Sequence, residues 1–238
     1  MKIRVRLAKE RVARFISHLD FAGAVEKAVR RAALPVAYSE GFTPRPKIAF
    51  GSALALGVTS EAEYADFELR ERLPVAEFKP RLEAQLPAGI KVLAAREVSK
   101  NAPSLMAQIN AASYQVEAQL TGRQEKEIQT AWEEFLEQGS IIIVKETKSK
   151  RRDLDIRPLI LQARLRARDA GGTWDLLLRA GSTGNVRPEE VLQAFWNANN
   201  WHGFIETIHR TGLYIESRGN LLSPLVEFKV RGEVEGNR

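Results

Sequence analysis

The sequence predicts an α+β protein made of two ferredoxin-like halves, residues 1–100 and 110–230, each a βαββαβ unit with an antiparallel sheet. Three observations predict it. The periodic segments of the first hundred residues run strand, helix, strand, strand, helix, strand, the ferredoxin-like order. A similar syntax recurs after a breaker-rich stretch at 100–104. The composition, 44% hydrophobic and 28% charged over 238 residues, is that of a packed globular chain long enough for two small cores.

The first strand is carried by Ile3, Val5 and Leu7, which alternate with Lys2, Arg4 and Arg6 at the period of a half-buried strand. Ser17 then offers a hydroxyl cap with Asp20 three residues on, opening a helix to about residue 33. Phe21, Val25, Ala28, Val29 and Ala32 share one half of its wheel, and Pro35 ends it. A loop rich in breakers follows (39–46), then extended runs at 47–54 and 64–70, a helix at 76–86 and a strand at 90–98. In the second half the pattern predicts strands at 114–120 and 141–147, flanking a helix at 125–137 that contains Trp132 and Phe135. Runs at 162–170 and 173–180 flank Gly171-Gly172, read as the two-residue turn of a tight hairpin. Pro188 suits the first turn of a helix to about residue 198, and 204–216 supplies the last strand.

The chain contains no cysteine. Disulfides, iron–sulfur clusters, thiolate zinc sites and cysteine nucleophiles are thereby excluded. Three histidines, His18, His202 and His209, are too scattered for a local metal motif, and no cofactor is expected. Gly181-Ser182-Thr183-Gly184 lacks the lysine and spacing of a phosphate loop. No apolar run approaches the roughly 18 residues of a membrane helix, and Met1 opens directly into an alternating strand, so the expectation is a cytoplasmic protein without membrane contact.

The net charge is +6. Residues 1–100 hold 18 basic and 12 acidic side chains, an excess of six, and the remainder is balanced at 18 each. Within the balanced part, residues 145–168 hold nine basic side chains against three acidic ones. With Gly171-Gly172 as the turn, Arg168 opposes Asp175, Arg166 opposes Leu177 and Arg164 opposes Arg179. Arg164, Arg166, Arg168 and Arg179 then crowd one open face against a single acid, a surface that calls for a polyanion. The first strand differs, because ferredoxin-like topology sets the third strand beside it, where Asp66 and Glu68 can pair with Arg4 and Arg6.

Arg14 to Asp20, Arg30-Arg31-Ala32, Leu34-Pro35, Tyr38 to Phe42 and Pro44 to Ile48 together resemble a known family, the radical-SAM-associated domain of unknown function. Residues 56–66 and 86–90 extend the match, and 153–158 and 187–192 do so more loosely. The resemblance covers nearly the whole chain. It implies a standalone form of a domain otherwise joined to radical SAM proteins, and a role in RNA metabolism. Radical SAM chemistry requires three cysteines around its cluster, so the resemblance implies a radical SAM protein acting in trans.

The sequence therefore points to binding of structured RNA, tRNA or rRNA, as an accessory to that enzyme. Candidate phosphate contacts are Lys148, Lys150, Arg151, Arg152, Arg157, Arg164, Arg166 and Arg168. Lys27 and Arg31 join them, lying on the polar strip of the first helix with no acid at matching spacing. Tyr38, Phe42, Arg45 and Lys47 sit in a proline-stiffened loop that combines a stacking surface with cations, and His18 stands at a helix N-terminus where an anion could meet it. Two alternatives accompany this reading. One is a metal-independent endoribonuclease with His18 as general acid or base and Lys47 or Arg45 on the developing charge. The other is a protein-binding adaptor that makes no RNA contact.

Overall fold

The computed structural model describes residues 1–146, 151–182 and 184–226. Its elements are β1 (Lys2–Lys9), α1 (His18–Arg31), β2 (Ile48–Phe50), β3 (Thr59–Glu68), α2 (Val75–Glu83), β4 (Ile90–Val98), α3 (Leu105–Gln108), β5 (Ala111–Gln119), α4 (Glu125–Glu137), β6 (Ile142–Glu146), β7 (Arg151–Asp155), β8 (Ile160–Arg168), β9 (Gly171–Arg179), α5 (Pro188–Ala198), β10 (Phe204–Ser217) and β11 (Asn220–Leu222). The main sheet runs β4-β1-β3-β10-β5-β9-β8, with β2 also on β3 and β11 on β10. The N-terminal half thus has the order β4-β1-β3-β2 and the C-terminal half β10-β5-β9-β8, both ferredoxin-like. One short parallel pairing joins them, His209 with Thr59 and Arg210 with Ser60.

Each half buries its own core between helices and sheet. Ile3, Val5 and Leu7 alternate inward against Phe21, Val25, Phe67 and Phe78. In the other half Trp132, Phe135, Trp174 and Phe195 form an aromatic cluster at centroid distances of 5.0–6.5 Å. The side chain of Ser17 caps α1, accepting from the backbone N–H of Asp20 at 3.1 Å, as its position before an amphipathic run predicts. Stretch 100–104 leads into α3, whose Leu105 packs with Ile109, Ala62, Tyr64 and Leu213. On this same face Arg4 is clamped by Asp66 at 2.6 Å and donates to the carbonyl of Pro224. The expected Arg4–Asp66 pair therefore forms, whereas Arg6 bonds to Glu61 rather than Glu68.

Three expectations are corrected. The run at 47–54 is a strand only over Ile48–Phe50, because the chain then leaves the sheet and Leu54 and Val58 join the core of the C-terminal half. The basic stretch after β6 includes a second strand, β7, which pairs with β6 as a separate two-stranded ribbon. The third concerns the hairpin register. Arg168 faces Gly171, Arg166 faces Thr173 and Arg164 faces Asp175, so Asp169 and Ala170 form the turn. Ala170 takes the left-handed conformation, φ 61°, and its backbone bonds to Arg123 and Leu120. The glycines belong to the strand. A Cβ on Gly171 would collide with the carbonyl of Ala118 on β5, and one on Gly172 would sit 2.8 Å from Leu165. They permit close backbone approach, the other physical reason for glycine in a strand. The turn moves by two residues and each partner by four, an even shift that keeps every side chain on its predicted face and changes only its partner.

Candidate nucleic-acid interface

Residues 38–47 form a hairpin-like loop beside β2. Tyr38 bridges Pro46, the N–H of Ser39 donates to the carbonyl of Arg45 at 2.9 Å, and the Ser39 hydroxyl accepts from the N–H of Arg45 at 3.0 Å. Gly41, at φ 123°, turns the chain where a side chain would be strained. Phe42 stands at the tip with its ring fully exposed, and Tyr38, Arg45 and Lys47 are exposed below it. Among the described residues neither cation enters an ion pair. An apolar ring held in water beside two uncommitted cations, on a backbone fixed at its base, is a ready stacking and phosphate-binding surface.

The arginine face of the β8–β9 hairpin turns out otherwise. Arg166 is held by Asp175 at 2.6 Å, Arg168 approaches Glu206 at 3.5 Å, and Arg179 meets Glu216 at 2.6 Å. Glu206 and Glu216 both come from β10, some forty residues along the chain. The expectation that this face lacks compensating charge is thus corrected: topology delivers acids that hairpin pairing alone did not predict. Arg164 is exposed opposite Asp175, and among the described residues it makes no ion pair.

The remaining candidates are dispersed. Lys27 and Arg31 are exposed on α1, and Arg31 donates to the carbonyl of Gln85 in the turn after α2. Arg151 and Arg152 are exposed on β7. Arg157 spans back to the carbonyl of Leu136 at 3.0 Å, which gives it a structural task. Lys148 and Lys150 lie outside the described residues. His18 packs its ring edge-on against Phe50 at 5.8 Å, with Nδ1 buried and without a hydrogen-bond partner. Phe50 and Ile48 point toward the helices, so strand alternation sends Ala49 and Lys47 to the opposite face. The sheet separates His18 from Lys47, and the pairing needed for acid–base cleavage is not assembled.

The family described as "Uncharacterized protein conserved in bacteria (DUF2344)" matches residues 2–188. The chain belongs to it. No curated protein matches this DUF2344 member in sequence. Among solved structures, it resembles a chain in the "Crystal Structure of a Cbf5-Nop10-Gar1 Complex", with a TM-score of 0.54 and 15% identity over 89% of this chain and 48% of that one. A chain in the structure of an archaeal box H/ACA sRNP Nop10-Cbf5 complex matches with a TM-score of 0.46 and 11% identity, over 87% of this chain and 46% of that one. The first likeness extends across both halves and shows a shared fold. This DUF2344 member spans about half the length of either chain. No helix among the described residues is long and apolar enough to cross a membrane.

Sequence reasoning missed the polar cluster at the seam of the two halves. Arg210 on β10 is 4% exposed; its Nη1 bonds to Glu63 on β3 at 3.0 Å and also reaches the carbonyl of Ser52, while Nη2 donates to the carbonyl of Ala53. Lys9, 1% exposed, donates to the carbonyl of Ile16 at 2.8 Å. Burial pushes the Lys9 ammonium below its usual pKa; Glu63 opposes the shift and Arg210 adds to it. A signal for Lys9 was present: Ile3, Val5 and Leu7 alternate inward, and Lys9 is the next inward position.

Proposed function

We propose that this protein binds structured RNA, tRNA or rRNA, through the 38–47 loop, as an accessory to a radical SAM enzyme that performs any chemistry in trans. The observation that carries the RNA reading is the loop itself, with an exposed phenyl ring at its tip and Arg45 and Lys47 outside any ion pair among the described residues. Aromatic stacking contributes roughly 1–3 kcal/mol per base and tolerates sequence, and cations alongside follow the phosphates. Lys27 and Arg31 on α1 and Arg151 and Arg152 on β7 stand apart from the loop as further candidate phosphate contacts. Arg166, Arg168 and Arg179 contribute less, since each already meets a carboxylate, while Arg164 stays open among the described residues. Separation of His18 from Lys47 by the sheet supports binding over cleavage. The radical SAM partner rests on the resemblance carried by residues 14–48 and on the absence of cysteine. The division into functional units at 1–100 and 110–230 belongs to the same proposal.

Ultraviolet crosslinking followed by sequencing of the bound RNA tests it. The wild-type chain is expected to enrich tRNA or rRNA, and Phe42→Ala to lose most of the crosslinks. A protein that recovers no RNA, or a Phe42→Ala protein that recovers as much as wild type, contradicts the reading. Co-purification with a radical SAM protein that survives nuclease treatment tests the second part.

A further inference from the structure

A cavity of about 470 Å³ opens where the two halves meet. Its volume lies within the range of roughly 300–1,000 Å³ typical of small-molecule sites, which favour seams between structural units. One wall is the segment that leaves the sheet after β2, contributing Leu54, Ala55 and Val58, and Tyr114 of β5 and Arg210 of β10 also line it. Arg187, just before α5, is an exposed lining residue.

Two features favour a ligand site over a gap between packed surfaces. Arg210 is buried, its guanidinium carbon lies 5.6 Å from the centre of the Tyr114 ring, and its Nε has no acceptor among the described residues. A buried N–H is usually satisfied, and Arg210, which lines the cavity beside Tyr114, keeps one donor open to an acceptor. Arg187, meanwhile, enters no ion pair among the described residues, so its guanidinium is available to an anion at the opening. A ligand that fits has a flat ring for the apolar walls and Tyr114, a ring carbonyl or nitrogen to accept from Arg210, and a negative group for Arg187. A nucleotide has all three.

We propose that the seam cavity receives a single nucleotide, its base between Leu54, Val58 and Tyr114 and its phosphate toward Arg187. The choice of ligand class rests on the RNA reading above, and the site lies outside the 38–47 loop that carries that reading. The loop ends at Lys47 and the cavity wall begins at Ser52, with β2 and Gly51 between them in the chain. An RNA strand gripped by the loop is therefore positioned to turn one base into the seam, as proteins that read single-stranded RNA do.

The test uses the full chain and the four ribonucleoside 5′-monophosphates, with ribose 5-phosphate as control, followed by saturation-transfer NMR and calorimetry. Transfer to base protons is expected for at least one nucleotide, with a dissociation constant near about 1 mM for so small a fragment. Ala55→Trp, which fills the opening from an exposed alanine, and Arg187→Glu, which reverses its charge, are each expected to weaken binding about tenfold or more. Arg187→Glu lies on the surface, so it keeps the test decisive should Ala55→Trp fold poorly. Absence of transfer, or unchanged binding in folded variants, overturns the proposal. Filter binding of tRNA on the same preparations separates the two claims. RNA bound without any nucleotide signal overturns the cavity alone, whereas nucleotide bound without RNA overturns the RNA reading and leaves the cavity standing.

Discussion

Glu63→Gln is the substitution whose consequence follows most directly from the seam cluster. The Glu63 and Arg210 side chains are 4% and 5% exposed at 3.0 Å, so water cannot replace either partner. Removing one member of a buried pair leaves an uncompensated charge and costs about 3–5 kcal/mol. Gln retains an acceptor oxygen, and Arg210 keeps its bonds to Ser52 and Ala53, so the lower end, about 3 kcal/mol, is expected. The variant would also bury two cations, Arg210 and Lys9, with no carboxylate between them. Lys9 already titrates below its usual 10.5 because of burial, and losing Glu63 lowers it further. For a base with a depressed folded pKa, the native state releases its proton before the unfolded state does. Stability therefore rises as pH climbs from the folded pKa toward 10.5, and in the variant this gain begins at lower pH. Urea unfolding followed by circular dichroism at neutral pH and at pH near 9.5 measures both effects. The deficit is expected to narrow at the higher pH, and Lys9→Met added to Glu63→Gln to recover part of it. A loss below about 1 kcal/mol, or a deficit independent of pH, would refute the claim that these groups form one coupled buried cluster.

Other outcomes follow from the same structure. Gly171→Ala should destabilise the fold by about 3 kcal/mol in urea unfolding, because its Cβ would meet the Ala118 carbonyl and its φ of 153° disfavours a side chain; a change within about 0.5 kcal/mol contradicts the close-approach account. Backbone N–H groups of Ile141 and Arg157 hold the Asp155 carboxyl below its usual pKa, and the Gly219 N–H and Arg179 do the same for Glu216. Stability from such groups is present above the unfolded pKa and lost as pH falls through the folded one, so Asp155→Asn with Glu216→Gln should flatten the stability profile between about pH 5 and pH 3. Arg166→Ala should leave RNA affinity within about twofold of wild type in filter binding, since Asp175 already holds that guanidinium; a tenfold loss would return the hairpin to the centre of the interface.

Much of the fold was legible because it is written in short-range chemistry. Ser17 and Asp20 announce α1, the wheel around Trp132 and Phe135 marks α4, Pro188 opens α5, and alternation at Ile3, Val5 and Leu7 fixes β1. What escaped depends on contacts distant in sequence. Gly171-Gly172 looks like a turn to any local rule, whereas the cause of both glycines is the approach of β5 and β8. The arginine face looked unpaired because Glu206 and Glu216 reach it only after β10 is threaded between β3 and β5. The seam cavity draws on Leu54, Tyr114, Arg187 and Arg210, residues from four parts of the chain that share no motif. The loop residues Tyr38, Phe42, Arg45 and Lys47 were legible as a set, and the structure puts the Phe42 ring fully exposed at the tip while removing His18 from their company.

The central claim is that the 38–47 loop grips the phosphate backbone of RNA, and the salt dependence of tRNA binding tests it most directly. The logarithm of affinity should fall linearly with the logarithm of salt concentration, and Arg45→Ala combined with Lys47→Ala should reduce that slope by about two counterions. Failure to bind tRNA at about 50 mM salt, or a slope unchanged by the double substitution, would contradict the account.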